Sequence, residues 1–280
     1  MIFLSDNSGI SKEVTVKKVM FAFIISAFLI SCAQKDKLVK KEPIEDMGNI
    51  ITVDSTTLLS MAQDHYNKEE YTQCGDLLET ILDREPENYK ARLLKGRLLT
   101  SLGDYESALS LLHGLEKEYP RKYDVHYYLG RVYEAQKFNS AALKYYMNSY
   151  ELGNTNSYLV EKIAILFMRE QKFPEAISFF HNYLVRHDKH HYIRYQLAMA
   201  YFYTNNYNYA IDQLKLLQRY DAGYSLSYYG LGYIYFEIYE RSQNPSYKRL
   251  SHENLKHYLT LEPGEGYYSR RARSMMSRLE

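Results

Sequence analysis

Small side chains recur at a fixed spacing of 34 residues through most of the chain. One series contains only alanine and glycine: Ala62, Gly96, Gly130, Ala164, Ala198 and Gly232. A second series has the same spacing: Cys74, Ala108, Ala142, Ala176 and Ala210. Large apolar residues surround both series. The pattern predicts two antiparallel helices per 34-residue unit, with the small residues at the points where neighbouring helices cross closely.

These units resemble the tetratricopeptide repeat (TPR) family, in which a helix–turn–helix unit repeats every 34 residues. Three first helices carry the family pattern of an apolar residue, a small residue and a later tyrosine: Leu129-Gly130 with Tyr133, Leu197-Ala198 with Tyr201, and Leu231-Gly232 with Tyr235. The tryptophan that is usual early in the first helix is missing. The resemblance implies an all-α, right-handed solenoid.

The resemblance covers about six units over residues 55–263, and residues 264–280 are expected to form a C-terminal capping helix. Two units depart from the family pattern. In the third unit Phe138 stands one place early. In the sixth unit the segment "ERSQNPS" is interpreted as an insertion that displaces the second helix to about Lys248–Leu261.

An apolar run at the N-terminus, Val19–Ile30, predicts an export signal. Its 12 residues are too few for a transmembrane helix, which needs about 20. Lys17 and Lys18 precede the run, as in cleavable signals. The sequence Leu29-Ile30-Ser31-Cys32 closely resembles the lipobox of bacterial lipoproteins. That resemblance implies removal of residues 1–31, diacylglycerol on the Cys32 sulfur and acylation of the new N-terminus. The alternative is an ordinary signal with a chance cysteine.

Residues 32–54 are polar and highly charged, and we interpret them as the lipid anchor followed by a flexible tether. Two or more acyl chains would attach the protein stably to a membrane. Ala33, and not aspartate, follows the cysteine. By resemblance this favours the outer membrane, facing the periplasm, with the cell surface as an alternative.

Charge and composition narrow the function classes. Lys and Arg number 35 against 34 for Asp and Glu, so we expect no nucleic-acid partner. The 31 tyrosines are amphipathic rings that can fill a core or line a wet groove. Cys74 stands in an alanine position, which predicts a small buried side chain.

In the TPR family the first helices line a concave groove. The family's groove positions predict these partner-binding residues here: Arg97, Tyr127, Arg131, Tyr192, Tyr195, Met199, Phe202, Tyr229, Tyr233 and Phe236. Lys90 and Tyr203 occupy equivalent positions. One half of the groove is therefore cationic and the other aromatic. The aromatic rings would hold apolar side chains of a peptide, and the arginines would bind a carboxylate. The alternative is that the rings pack within the chain and the arginines are solvated.

A metal site and an active site have weaker support. His187 and His191 are four residues apart, but no cysteine or carboxylate set completes a metal site. The motifs G-x-S-x-G, H-E-x-x-H and G-x-x-x-x-G-K and the dinucleotide-binding fingerprint do not occur. We therefore expect no metal, no cofactor and no enzymatic activity.

The sequence thus predicts an envelope-anchored TPR lipoprotein that acts as a protein-interaction scaffold or assembly factor. Its architecture is similar to that of type IV pilus pilotins, of assembly lipoproteins of the outer-membrane β-barrel machinery, and of adaptors for peptidoglycan enzymes. Such a likeness concerns the fold alone. The alternatives are a small-ligand or glycan binder, an uncharacterised enzyme that uses the aromatic groove, or a self-assembling structural protein.

Overall fold

The computed structural model describes residues 53–280, which form thirteen α-helices and no β-strand. The helices are α1 Ser55–Asn67, α2 Tyr71–Arg84, α3 Tyr89–Leu102, α4 Tyr105–Glu118, α5 Tyr123–Ala135, α6 Asn139–Glu151, α7 Ser157–Arg169, α8 Phe173–Leu184, α9 His191–Tyr203, α10 Tyr207–Tyr220, α11 Ser225–Ser242, α12 Pro245–Leu261 and α13 Tyr267–Leu279. The predicted signal, Cys32 and nearly all of the tether lie outside the described residues.

The helices form six antiparallel pairs that stack in chain order. Each odd-numbered helix packs against the even-numbered helix that follows it, and the latter packs against the first helix of the next pair. Contacts between successive first helices, such as α9 with α11, place these helices along one face of the stack. Helix α13 follows the sixth pair and contacts both α11 and α12. The predicted all-α solenoid with a C-terminal capping helix is confirmed.

The small residues lie where the two helices of a pair cross. Both series are buried throughout. A Cβ atom placed on Gly130 would lie 2.5 Å from Cδ1 of Tyr146, in the second helix of the same pair. Tyr146 is fully buried, and its hydroxyl donates a hydrogen bond to Glu134 over 2.8 Å. Burial and this hydrogen bond fix the position of the Tyr146 ring, so a larger residue at position 130 has no space.

The insertion in the sixth unit lengthens its helices. Helices α11 and α12 have 18 and 17 residues. A Cβ on Gly232 would lie 2.6 Å from Leu255, 23 positions later, whereas Gly130 and Tyr146 are 16 apart. The difference of seven residues is about two helical turns, so the same crossing is preserved. Ser251 occupies the small position of α12, and its hydroxyl donates to the Gly232 carbonyl over 2.8 Å.

Helix α12 begins at Pro245, three residues before the predicted Lys248. The Asn244 side chain caps the helix by accepting a hydrogen bond from the Ser246 amide over 2.9 Å. Proline suits the first turn because its fixed φ is already helical. The other irregular position, Phe138, leaves the spacing unchanged because it immediately precedes α6 and its side chain is 58% exposed.

The turn within each unit repeats a left-handed backbone conformation. The residues concerned are also 34 apart and have φ between 58° and 80°: Glu69, Gly103, Lys137, Gln171 and Asn205. Gln243 has the same conformation in the lengthened sixth unit. L-residues pay about 1–2 kcal/mol for this conformation, yet glycine occurs at one of these positions alone. The turn geometry is therefore repeated between units although only Gly103 and Asn205 are of a residue type that favours it.

The crossing at Gly130 yields a stability prediction. Gly130→Ala should lower the free energy of unfolding by about 1–3 kcal/mol, because the new methyl group overlaps a ring that cannot move. Gly114→Ala is the control, since a Cβ there meets nothing closer than Arg92 at 3.9 Å. That change should raise stability by roughly 0.5–1 kcal/mol through helix propensity. Urea unfolding followed by circular dichroism measures the free energy of unfolding of both variants. Equal values would contradict the close contact between position 130 and the Tyr146 ring.

The left-handed turn yields a second prediction. Lys137→Gly should raise the free energy of unfolding by up to about 1 kcal/mol, because glycine adopts positive φ without steric cost. Lys144→Gly, at an exposed position inside α6, should instead lower it by about 1 kcal/mol. Thermal unfolding compares the two variants. A loss of stability in both would mean that Lys137 is not in the left-handed conformation.

Candidate functional site

A cavity of about 390 Å³ lies between the first helices of units four to six and helix α13. Five of the predicted binding residues line this aromatic cavity: Tyr192, Tyr195, Met199, Tyr229 and Tyr233. The remaining lining residues are Ile165, Met168, Arg169, Gln196, Tyr203, Tyr267, Tyr268 and Arg271. The repeat brings these side chains together because equivalent positions of successive first helices share one face of the stack.

Helix α13 supplies one wall of the aromatic cavity. The Tyr268 ring lies 4.8 Å from the Tyr229 ring, and the Arg271 guanidinium lies 5.1 Å above the Tyr233 ring. Tyr267, Tyr268 and Arg271 were not among the predicted binding residues, because the last helix was predicted to be a cap alone. The adjacent tyrosines at the start of that helix were the available signal.

The tyrosines of the cavity differ in depth. Tyr229 is 2% exposed and forms the floor together with Tyr195 and Met199, which are also buried. Tyr192 and Tyr203 are 44% and 48% exposed and form the rim. The cavity therefore has a buried base and an exposed edge.

Two predicted residues lie in the core beside the cavity. Phe202 is buried, and its ring packs tilted against the rings of Tyr207 and Tyr233. Phe236 is buried beneath α13, where the Arg278 guanidinium lies 4.7 Å above its ring. These rings contact the chain's own helices, which is the alternative packing role.

The hydroxyl group of Tyr229 is buried and has no hydrogen-bond partner among residues 53–280. A buried polar atom without a partner costs about 1–3 kcal/mol. Burial raises the pKa of Tyr229, and it raises the pKa of Tyr195 well above the ordinary value. Both phenols are therefore neutral hydrogen-bond donors at physiological pH.

The three predicted residues of the N-terminal half lie outside the aromatic cavity. The Arg97 guanidinium stacks between Tyr66 at 4.6 Å and Tyr128 at 5.1 Å, and it donates a hydrogen bond to Gln63 over 2.7 Å. Arg97 borders a separate depression of about 570 Å³, together with Lys90. Tyr127 and Arg131 are half-buried nearby. Burial raises the pKa of Tyr127 to about 12.

The two histidines weighed as metal ligands contact different partners. His187 is within hydrogen-bonding distance of Ser157 at 2.8 Å, whereas His191 lies 3.7 Å from the Asp221 carboxylate. Across residues 53–280, no group of three or more His, Cys, Asp or Glu side chains is arranged to hold a metal ion. In the same part of the chain, every helix is too short or too polar to cross a membrane.

Comparison with known proteins gives one family and several structures. The tetratricopeptide repeat family matches residues 69–121. No curated protein matches the sequence. YrrB, described as a TPR protein with an unusual peptide-binding site, superposes with a TM-score of 0.61 at 16% identity, over 70% of this chain and 97% of its own. PilF of Pseudomonas aeruginosa superposes with a TM-score of 0.58 at 13% identity, over 79% of this chain and 97% of its own.

The structural likenesses concern the fold, because the identities are low. They agree with the family match, with the 34-residue period and with the buried small residues at each helix crossing. Together these findings show that the chain has the fold of tetratricopeptide repeat proteins, and the family itself matches residues 69–121.

Proposed function

We propose that this protein is a lipoprotein of the cell envelope that binds a peptide of a partner protein in its concave groove. In this role it is a scaffold or assembly factor. TPR solenoids present extended concave surfaces to protein partners. The observation that carries the proposal is the aromatic cavity, where exposed tyrosines surround a buried floor.

The chemistry of the rim supports peptide binding. Tyrosine provides a large contact area with few rotatable bonds, so little conformational entropy is lost when a partner binds. The volume of about 390 Å³ lies within the range of ligand-binding pockets, roughly 300–1,000 Å³. It would accommodate a few side chains of an extended segment. The rest of the partner would follow the face of the first helices.

The lining supports binding and not catalysis. Among the described residues, those that line the cavity include no His, Cys, Ser, Asp or Glu. A general base works best with a pKa near the operating pH. Burial raises the pKa values of the floor tyrosines, Tyr229 and Tyr195, and so moves them further from physiological pH.

The lipid anchor at Cys32 completes the proposal. The tether that follows it has about 22 residues, so as a flexible coil it would span about 25 Å. The solenoid would then be held near a membrane surface with its groove free to bind. The resemblance to lipoproteins supports the outer membrane, facing the periplasm, as its proposed location, because Ala33 and not aspartate follows the cysteine.

The anchor is tested by Cys32→Ser. We expect the wild-type protein to sediment with membranes and to incorporate labelled palmitate, and the variant to be soluble and unlabelled. Cys74→Ala is the matched control, because it removes the other cysteine from a buried alanine position. It should behave as wild type. Membrane association of the Cys32→Ser variant would contradict the anchor.

The groove is tested by a triple variant of exposed rim residues: Tyr192→Ala, Tyr203→Ala and Tyr267→Ala. We expect a partner that is cross-linked to the wild-type protein in membranes to be lost, because truncating aromatic contacts commonly costs more than about 1 kcal/mol each. Tyr195 and Phe202 are unsuitable because they are buried, and their truncation would cost about 3–5 kcal/mol of stability.

The control for this experiment is the double variant Tyr209→Ala and Tyr220→Ala. These tyrosines are 60% and 38% exposed on α10, outside the cavity. It should retain the partner. Equal recovery with both variants would contradict binding at the cavity. Displacement of the wild-type protein's partner by a soluble oligosaccharide would favour the glycan-binding alternative.

A further inference from the structure

Four arginines on the face of the first helices lack a carboxylate partner among residues 53–280: Arg97, Arg131, Arg169 and Arg271. Arg97 donates to an amide oxygen, and Arg271 donates to the Tyr267 hydroxyl over 3.3 Å. Elsewhere in the stack several arginines are paired. Arg92 contacts Glu118 at 2.6 Å, for example, and Arg249 contacts Glu253 at 3.0 Å.

Two acidic residues on the same face are occupied within the chain. The Asp124 carboxylate accepts hydrogen bonds from the Tyr89 hydroxyl and the Val125 amide. The Glu134 carboxylate accepts from Lys162 and Tyr146, each over 2.8 Å. Among the described lining residues of the aromatic cavity, two are arginines and none is acidic. The lining of this cavity is therefore cationic, although the whole chain has a net charge of only +1 and Glu237 lies near Tyr233 on the same helix.

The buried hydroxyl of Tyr229 adds an independent sign of a missing ligand. It is a donor without an acceptor in the described part of the chain, and its residue lines the aromatic cavity. The Tyr229 ring is stacked 6.4 Å from the Tyr233 ring, over which Arg271 lies. A carboxylate oxygen would satisfy the hydroxyl and pair with a guanidinium, and such charge-assisted hydrogen bonds are the strong ones.

We propose that the aromatic cavity binds an Asp or Glu side chain of the partner peptide, next to an aromatic or large apolar side chain. The proposal rests on the peptide-binding function inferred above. Arg169 and Arg271 neutralise the carboxylate, the Tyr229 hydroxyl donates to it, and the tyrosine rim holds the apolar neighbour.

The distribution of the arginines favours an acidic segment over a single chain terminus. Arg97 belongs to the second unit, Arg131 to the third, Arg169 to the fourth and Arg271 to the capping helix. One terminal carboxylate can pair with the cations at one end of this series. A segment with several acidic side chains can follow the whole series.

The test uses the full chain in a neutral detergent and fluorescent decapeptides that are acetylated and amidated at their ends. Each contains two Ser-Glu-Phe-Glu-Gly repeats, or the same repeats with Gln or Lys in place of Glu. By fluorescence anisotropy, the Glu peptide should bind at least about tenfold more tightly than the Gln peptide, and the Lys peptide least tightly. Added salt should reduce the difference, because it screens exposed charges.

Two sets of variants locate the effect. Arg169→Gln with Arg271→Gln should weaken binding of the Glu peptide at least about tenfold and that of the Gln peptide less than about twofold. Arg249→Gln, on α12 outside the cavity, is the control and should change neither. Tyr229→Phe should weaken Glu-peptide binding about threefold without lowering the melting temperature, because the hydroxyl it removes has no partner in the free chain.

The outcomes separate this inference from the proposed function. Equal binding of the Glu and Gln peptides would overturn the acidic ligand and leave the peptide groove intact. No binding of any peptide would overturn both. A Gln peptide with a free C-terminus that binds as tightly as the Glu peptide would assign the site to a chain terminus instead. Tighter binding of tetragalacturonate than of the Glu peptide would assign it to an acidic glycan.

Discussion

The close crossing of the two helices in each unit is the constraint on which the rest of the structure depends. At Gly130 the partner helix places the Tyr146 ring where a Cβ would stand, and the later units repeat this arrangement with alanine or glycine. Because the crossing recurs every 34 residues, every first helix presents equivalent positions to the same face. The candidate site exists because those positions are aromatic in units five and six.

The sixth unit shows which features the crossing tolerates. Seven additional residues fit because they add about two complete helical turns, shared by α11 and α12. Leu255 therefore still packs against Gly232, and Ser251 takes the place of the small residue in the second helix. An insertion of another length would rotate one helix face relative to the other. The lengthened pair still supports α13, and α13 in turn completes the aromatic cavity.

Tyrosine has three different roles in this chain, which contains no tryptophan. Tyr146 is a core residue whose hydroxyl is bonded to Glu134, Tyr229 lies on the cavity floor with its hydroxyl unpartnered, and Tyr192 stands exposed at the rim. One residue type serves all three because its ring packs like a hydrophobe while its hydroxyl needs an acceptor or water. The proposal of an acidic ligand rests on the unpartnered Tyr229 hydroxyl and on Arg169 and Arg271, which have no carboxylate partner in the described part of the chain.

The sequence by itself determined the helix pairs, their period, their number and the burial of Cys74, because small residues at 34-residue spacing report directly on close helix crossings. It also indicated the aromatic half of the groove, including Tyr192 and Tyr233. The depth of each ring and the contribution of α13 were decided by the tertiary structure alone. Groove positions hold aromatic residues in the sequence whether or not a later helix covers them. Helix α13 covers Phe236, whereas Tyr192 stays exposed. Most of the left-handed turns were equally invisible, because Glu69, Lys137 and Gln171 adopt there a backbone conformation that their residue types do not favour.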